Sequence, residues 1–251
     1  MAKMKTPPTL THPWRSVTDL KDALSRAREI GAKHRAHLAE MNGRVDTRRK
    51  ELESTLSDVA PSQRAQIVNR AVGGLKADLL HKSRDARVER LRALDAVRRE
   101  ASDARVHYSS SIQMLMREGL GGERRSRLMQ QLEHSGGVEL ASLAALAAAT
   151  KDRELAAALV SRANRIPHAE RSFSAQELAN LVVGDEHRAI QAAVMEIAEV
   201  AERALVEDRA FETGRAPTAQ AIGLALRGRD RAELGVPEDA LDRLAAKQDQ
   251  E

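Results

Sequence analysis

The sequence predicts an all-α protein: a long antiparallel helical hairpin, coiled-coil-like, followed by a small Ala-rich helical domain. Three observations predict it. First, from Ser16 to Val59 an apolar-leaning seam advances in unbroken three- and four-residue steps through Val17, Leu20, Leu24, Ala27, Gly31, His34, Leu38, Met41, Val45, Arg48, Leu52, Thr55 and Val59. Steps averaging about 3.5 residues keep one narrow stripe of a helix turned toward a partner helix. Second, aromatic residues make up only 2% of the chain and charged residues 31%. That composition favours thin helix-on-helix contacts over a large aromatic core. Third, no stretch alternates apolar and polar residues as a half-buried strand does, and no repeat of fixed period is present.

The N-terminal arm, 1–15, holds Pro7, Pro8 and Pro13 and is expected to be extended. Ser16-Val-Thr-Asp19 then reads as a capping box with Asp in place of Glu or Gln, opening a helix that runs to about Ser57. Gly31 and Gly43 each cost that helix roughly 1 kcal/mol relative to Ala. Asp58-Val-Ala-Pro61 is the break, since Pro61 lacks an N–H and suits the first turn of a new helix.

A second helix is expected from Pro61 to Glu118, its seam running through Val68, Val72, Leu75 and Leu79, then Val88, Leu91, Leu94 and Val97, then Ala101, Ala104, Tyr108, Ile112 and Leu115. Lys82 through Arg87 is almost wholly polar and shifts the stripe, which reads as a stutter or a local unwinding. Gly73-Gly74 reads as a kink or a close approach of helices. So short a connection between two long helices makes 16–118 an antiparallel hairpin.

Glycines 119, 121 and 122 with a short helix, Glu123 to His134, form a hinge over 119–137. The remainder, 138–251, reads as a small α-helical domain with a polar C-terminal tail. It opens on the Ala-rich run VELASLAALAAAT, continues from Lys151 to Arg165 and stops near Pro167. Ser174-Ala-Gln-Glu177 is a full capping box for the next helix, and another is expected from Asp185 to Glu212 after Gly184. Thr213–Pro217 is a linker, and two short helices, Thr218–Arg227 and Pro237–Lys247, close the chain.

Absence of cysteine removes disulfides, thiolate catalysis and Cys-based metal sites. The basic first residues lack an apolar h-region, and no span approaches twenty apolar residues. Neither a secretory signal nor a membrane span is expected, and the product is expected to be of cytoplasmic origin.

Net charge is +4, but residues 1–118 carry 24 Lys/Arg against 15 Asp/Glu, whereas 119–251 carry 17 against 22. An acidic partner of the front half, such as nucleic acid, or front-to-back packing of copies both fit this asymmetry.

Candidate chemistry is sparse. His34, His37 and Glu40 form H-x-x-H-x-x-E, a spacing that zinc or iron could use. However, Glu40 lies off the seam and no complementary set occurs on the second helix, so these read as seam or solvated side chains. Gly119-Leu-Gly-Gly122 lacks the spacing and the preceding strand of a phosphate loop. Ser109-Ser110-Ser111 beside His107 has no nucleophile elbow or orienting acid and reads as a small-side-chain packing surface. No catalytic residue, cofactor site, metal site or small-molecule substrate is predicted. The residues expected to matter are those of the packing seam: Val17, Leu20, Leu24, Leu38, Met41, Val45, Leu52 and Val59. Arg48, Arg49, Lys50, Arg98, Arg99, Arg124 and Arg125 are candidate contacts to phosphate or another anion.

A charged hairpin, an Ala-rich tail, no Cys and few aromatics together resemble the helical scaffold, internal-core and head–tail proteins of tailed phages, in composition and layout only. That resemblance implies a virion or assembly role in many copies, without catalysis. The expected function is non-enzymatic assembly through helix packing, with copies of itself and other proteins of a larger complex as partners. Two alternatives stand beside it: a sequence-independent nucleic-acid accessory protein using the basic hairpin, and a helical regulatory adaptor.

Overall fold

The computed structural model describes residues 14–248, so most of the expected N-terminal arm and the last three residues of the polar tail lie outside the described residues. The fold is all-α. Nine α-helices occur among the described residues: α1 Val17–Thr55, α2 Pro61–His107, α3 Ser111–Arg117, α4 Glu123–Leu132, α5 Gly137–Thr150, α6 Arg153–Ala163, α7 Ala175–Thr213, α8 Thr218–Glu233 and α9 Ala240–Gln248. A single 3-10 turn, His168–Glu170, precedes α7.

The start of α1 is a reciprocal capping box. The Asp19 N–H donates to Ser16 Oγ (3.0 Å), and the Ser16 N–H donates to Asp19 Oδ2 (2.8 Å). Those bonds to Ser16 hold the Asp19 carboxyl below the usual carboxylate range. At the start of α7, Ser174 Oγ accepts from the Glu177 N–H, as its capping sequence predicts.

Two boundaries of the long helices differ from the sequence expectation. The second long helix stops at His107, because Ser110 takes an extended conformation and its hydroxyl accepts from the Gln113 N–H, starting α3 anew. Ser109 and Ser110 therefore lie at a helix break, while Ser111 is buried and packs on α7, its Oγ donating to Asn180 Oδ1 (2.6 Å) and accepting from Gln176 Nε2 (2.9 Å). Conversely, α7 runs unbroken through Gly184, where two helices were expected. Gly184 is buried, and a side chain there would meet only the Asn180 Cβ and the tip of Arg188 at ordinary contact distance, so nothing around it forces a turn.

The chain divides into two compact units, with boundaries inside α1, α2 and α7. One comprises residues 14–21, 102–194 and 234–248; the other comprises 22–101 and 195–233. This division departs from the sequential one expected (16–118, 119–137, 138–251), because the second half of α7 and all of α8 belong with the hairpin helices.

In the first unit α6 is the centre. Leu155 through Val160 are all buried, enclosed by side chains of α3, α4, α5 and the first half of α7, including Leu115, Leu132, Leu140, Ala144 and Val183. A helix apolar on every side has to be surrounded, and the small side chains Ala156, Ala157 and Ala158 let neighbouring helices come close.

In the second unit, α1 and α2 pair as the antiparallel hairpin. Leu38, Met41 and Val45 of α1 and Val68, Val72 and Leu79 of α2 form a core that also takes in Phe211 of α7. A third helix thus covers the seam. At Gly31 that helix comes close: a Cβ there would lie 2.6 Å from Val200 Cγ1. At Gly73 and Gly74 the space is open and α2 continues without interruption, so neither a break nor a close approach occurs there.

Between Leu79 and Leu94 the α2 seam passes through Ser83 and Arg87, both buried, in a run of four-residue steps. That is a stutter without unwinding. It leaves Val88, an expected seam residue, partly exposed.

Candidate interaction surfaces

Of the predicted packing residues, Val17, Leu20, Leu24, Leu38, Met41 and Val45 are buried. Leu52 is half-buried against the α1–α2 core, and Val59 is half-buried in the turn after α1, beyond the helix. The seam is not purely apolar. His34 of α1 is fully buried, with Nε2 3.6 Å from Asp208 Oδ1 of α7. Arg87 of α2 donates from Nη1 to Asp208 (2.8 Å), from Nη2 to Glu212 (3.0 Å) and from Nε to Ser83 Oγ (3.2 Å). Burial pushes the His34 pKa below its ordinary value; Asp208 and Glu207 oppose the shift, while Arg90 and Arg87 reinforce it. His34 thus faces Asp208 rather than Glu40, the carboxylate that shares its sequence motif.

The candidate anion contacts separate into two kinds. Arg48 pairs with Glu51, and Arg98 and Arg99 both pair with Asp95, all on exposed helix surface. Arg124 is held by Asp152 and Glu154. Arg49 and Lys50 are exposed, and Arg49 lines a shallow concavity of about 470 Å³ with Glu53, Pro61 and Arg64 near the hairpin turn.

Arg125 is not an anion contact. It is buried and donates to the carbonyls of Met116 (2.7 Å) and Glu118 (2.7 Å) and to Ser161 Oγ (3.0 Å). Its guanidinium satisfies carbonyls at the end of α3 that the helix leaves unpaired. Basic character in the sequence does not distinguish this role from a surface one.

Three features escaped sequence reasoning. The first is α8, none of whose residues is buried. Two of its arginines meet a ridge of carboxylates along α7: Arg227 pairs with Glu202, and Arg231 pairs with Glu196 (3.2 Å) and Glu199 (3.0 Å). Glu199 is itself buried and also held by Arg203. Of its apolar side chains, Ala221 and Leu224 are half-buried, whereas Ile222 and Leu226 are 56% and 48% exposed. The expected end at Arg227 would have cut Arg231 off from this helix.

The second is α5, which buries Leu140, Ala144 and Ala147 and leaves Val138 and Leu146 in solvent. The third is a cleft of about 480 Å³ in the α6-centred unit, with Val182, Val236 and Leu244 among its apolar lining and Arg153 and Arg243 among its charged lining. Arg153 is held there by Glu118 and Glu186, and Arg243 by Asp239, so these charges serve one another.

Among the described residues no helix is long and apolar enough to cross a membrane. No protein-family model, no curated protein and no solved structure matches the chain.

Proposed function

We propose that this protein is a non-enzymatic assembly component that works by helix packing in a complex of many copies. The observation that carries this reading is the orientation of α8. An isolated amphipathic helix resting on its own chain buries its apolar side. Here α8 is tied to α7 by arginines and buries only Ala221 and Leu224, by half, leaving the larger part of its apolar surface, Ile222 and Leu226, exposed. Exposed apolar side chains on a helix whose charges are already satisfied are suited to meeting another protein. The compositional resemblance to structural proteins of tailed phages adds a setting, a virion or its assembly intermediate, in which weak contacts act together.

Light scattering across protein concentration tests the reading. Self-association is expected to grow with concentration and to weaken in Ile222→Asp/Leu226→Asp, with helicity unchanged by circular dichroism. A wild-type chain that stays monomeric to millimolar concentration, alone and in a lysate of its source, overturns it.

Arg49 and Arg64 at the concavity near the hairpin turn support a second reading, sequence-independent contact with a nucleic-acid backbone. Such contact weakens steeply with salt. Loss of polynucleotide binding in Arg49→Glu/Arg64→Glu, with assembly intact, supports that reading over the first.

A further inference from the structure

We propose that the α6-centred unit holds a binding site for a small aliphatic monocarboxylate, with the carboxylate on Arg117 and the carbon chain among Val17, Met114, Ile190 and Leu244. This goes beyond the assembly reading and does not rest on it. A cavity of about 210 Å³ lies among the starts of α1 and α6, the end of α3, and parts of α7 and α9, and all of its lining belongs to that one unit. At roughly 30 Å³ for each water-sized group, it has room for about seven non-hydrogen atoms. Its apolar wall is mainly aliphatic, with Trp14 and Tyr108 beside it. An apolar enclosure with a few fixed polar groups is the usual form of a small-molecule site.

The polar groups on the wall say what such a molecule carries. Four charged side chains line the cavity: Arg117, Glu118, Arg153 and Glu186. Arg153 donates to both Glu118 (3.3 Å) and Glu186, so those two carboxylates already have a counter-charge. Arg117 has none among the described residues, and its Nη1 is buried without a hydrogen-bond partner. The Met116 and Glu118 carbonyls, on either side of it in the chain, accept from Arg125 (2.7 Å each). The Tyr108 hydroxyl donates to the Arg15 carbonyl (3.0 Å), which uses its one proton. The bonding capacity left unmet on this wall is therefore that of a guanidinium donor.

A buried donor without an acceptor costs free energy, and a carboxylate is the acceptor that matches a guanidinium best. A cationic molecule meets Arg117 unpaired and finds Glu118 and Glu186 already bonded. A second negative charge on the ligand falls among aliphatic side chains or against those carboxylates, which selects a monoanion. The Arg117 guanidinium carbon lies 5.1 Å from the centre of the Trp14 ring, and Trp14 is 57% exposed. With more than half its surface in solvent, the indole is the part of the wall that can move aside to admit a ligand.

Trp14 is also the sole tryptophan, so its emission reads the site directly. Titration of the wild-type chain with sodium pentanoate is expected to give a saturable change in that emission, beyond the change given by equal sodium chloride. Pentanamide, the neutral isostere, is expected to bind more weakly by about tenfold or more, because it makes a neutral bond where the acid makes a charged one. From acetate to pentanoate, affinity is expected to rise about fourfold per methylene as the chain covers the aliphatic wall. It is expected to stop rising by octanoate, when the cavity is full. Arg117→Met is expected to bring pentanoate down to the affinity of pentanamide, with helicity unchanged by circular dichroism. Arg98→Met, an exposed arginine of α2, is expected to leave it unchanged.

A response to pentanoate no larger than that to sodium chloride overturns the site. Equal affinity for pentanoate and pentanamide, or unchanged pentanoate binding in Arg117→Met, overturns the contact with Arg117. A flat response from acetate to octanoate overturns the aliphatic placement. The comparisons among ligands use the wild-type chain and stand even where Arg117→Met does not fold. None of these outcomes touches self-association, so a failure here leaves the assembly reading standing.

Discussion

Among its described residues the α6-centred unit buries one charged side chain, Arg125, which meets only neutral carbonyl and hydroxyl oxygens, whereas the unit of long helices carries Arg87, Asp208, His34 and Glu199 inside it. Both draw on few aromatics, Phe173 in one and Phe211 in the other, and the difference follows from helix length. An eleven-residue helix such as α6 can be enclosed on all sides by four neighbours, so every side chain from Leu155 to Val160 can be apolar. Helices of 39 and 47 residues present only a narrow stripe, and α7 closes over it as a third partner. At the stutter in α2 the stripe loses its apolar phase. There a long arginine reaches across to carboxylates of α7. Uniform aliphatic seams can slide by a heptad, and a buried charged pair at one level fixes the register.

That comparison can be broken at its centre. Asp208→Ala leaves the buried Arg87 without its closest carboxylate, and a loss of about 3–5 kcal/mol is expected in urea unfolding followed by circular dichroism. Replacing both partners, Arg87→Met with Asp208→Leu, is expected to recover most of it. In the other unit Leu159→Ala, at a fully buried position, is expected to cost about 2–5 kcal/mol as a cavity. Trp14, the sole tryptophan, stacks beside His107 and Tyr108 in the α6-centred unit. Its fluorescence is expected to follow Leu159→Ala more closely than Asp208→Ala. Equal shifts for both changes mean that the two units unfold as one.

Glycine contrasts sharpen the same point on a smaller scale. Gly31→Ala places a methyl 2.6 Å from Val200 Cγ1, and overpacking of this kind costs about 1–3 kcal/mol. The gain in helix propensity, about 1 kcal/mol, offsets part of that. Val200→Ala in the same chain is expected to relieve the clash. Gly43→Ala, with open space around it, is expected to stabilise by up to about 1 kcal/mol. A destabilised Gly43→Ala contradicts the packing described for α1.

The pH effect is the least of the three and has a definite sign. The His34 pKa is lowered in the fold, chiefly by burial. The unfolded chain therefore takes up a proton near its ordinary pKa, about 6.5, while the folded chain resists it. Stability is full above that pH and falls as the pH drops below it. His34→Leu is expected to flatten the slope measured by urea unfolding between pH 7 and 5. His37 and His187, whose pKa values burial also lowers, account for whatever slope remains.

The helical class, the α1 seam, both capping boxes and the Pro61 turn were legible in the sequence because each is a local pattern whose physics spans only a few residues. What α7 does was not legible. Its residues Asp208 and Phe211 serve the hairpin, and no periodicity within α7 says which distant seam it will cover. Arg125 and Arg124 are neighbours of the same type, yet one is buried under α3 and the other is exposed, because the carbonyls that Arg125 satisfies exist only once α3 has ended nearby. The ion pairs that seat α8 likewise depend on a carboxylate ridge supplied by another helix. The sequence by itself determined the helical class, the starts of α1, α2 and α7 and which stripe of α1 turns inward, but not the end of α2 or the continuity of α7. Tertiary structure alone decided which charges go inside, because a buried charge is tolerable only where a partner from another helix arrives to meet it.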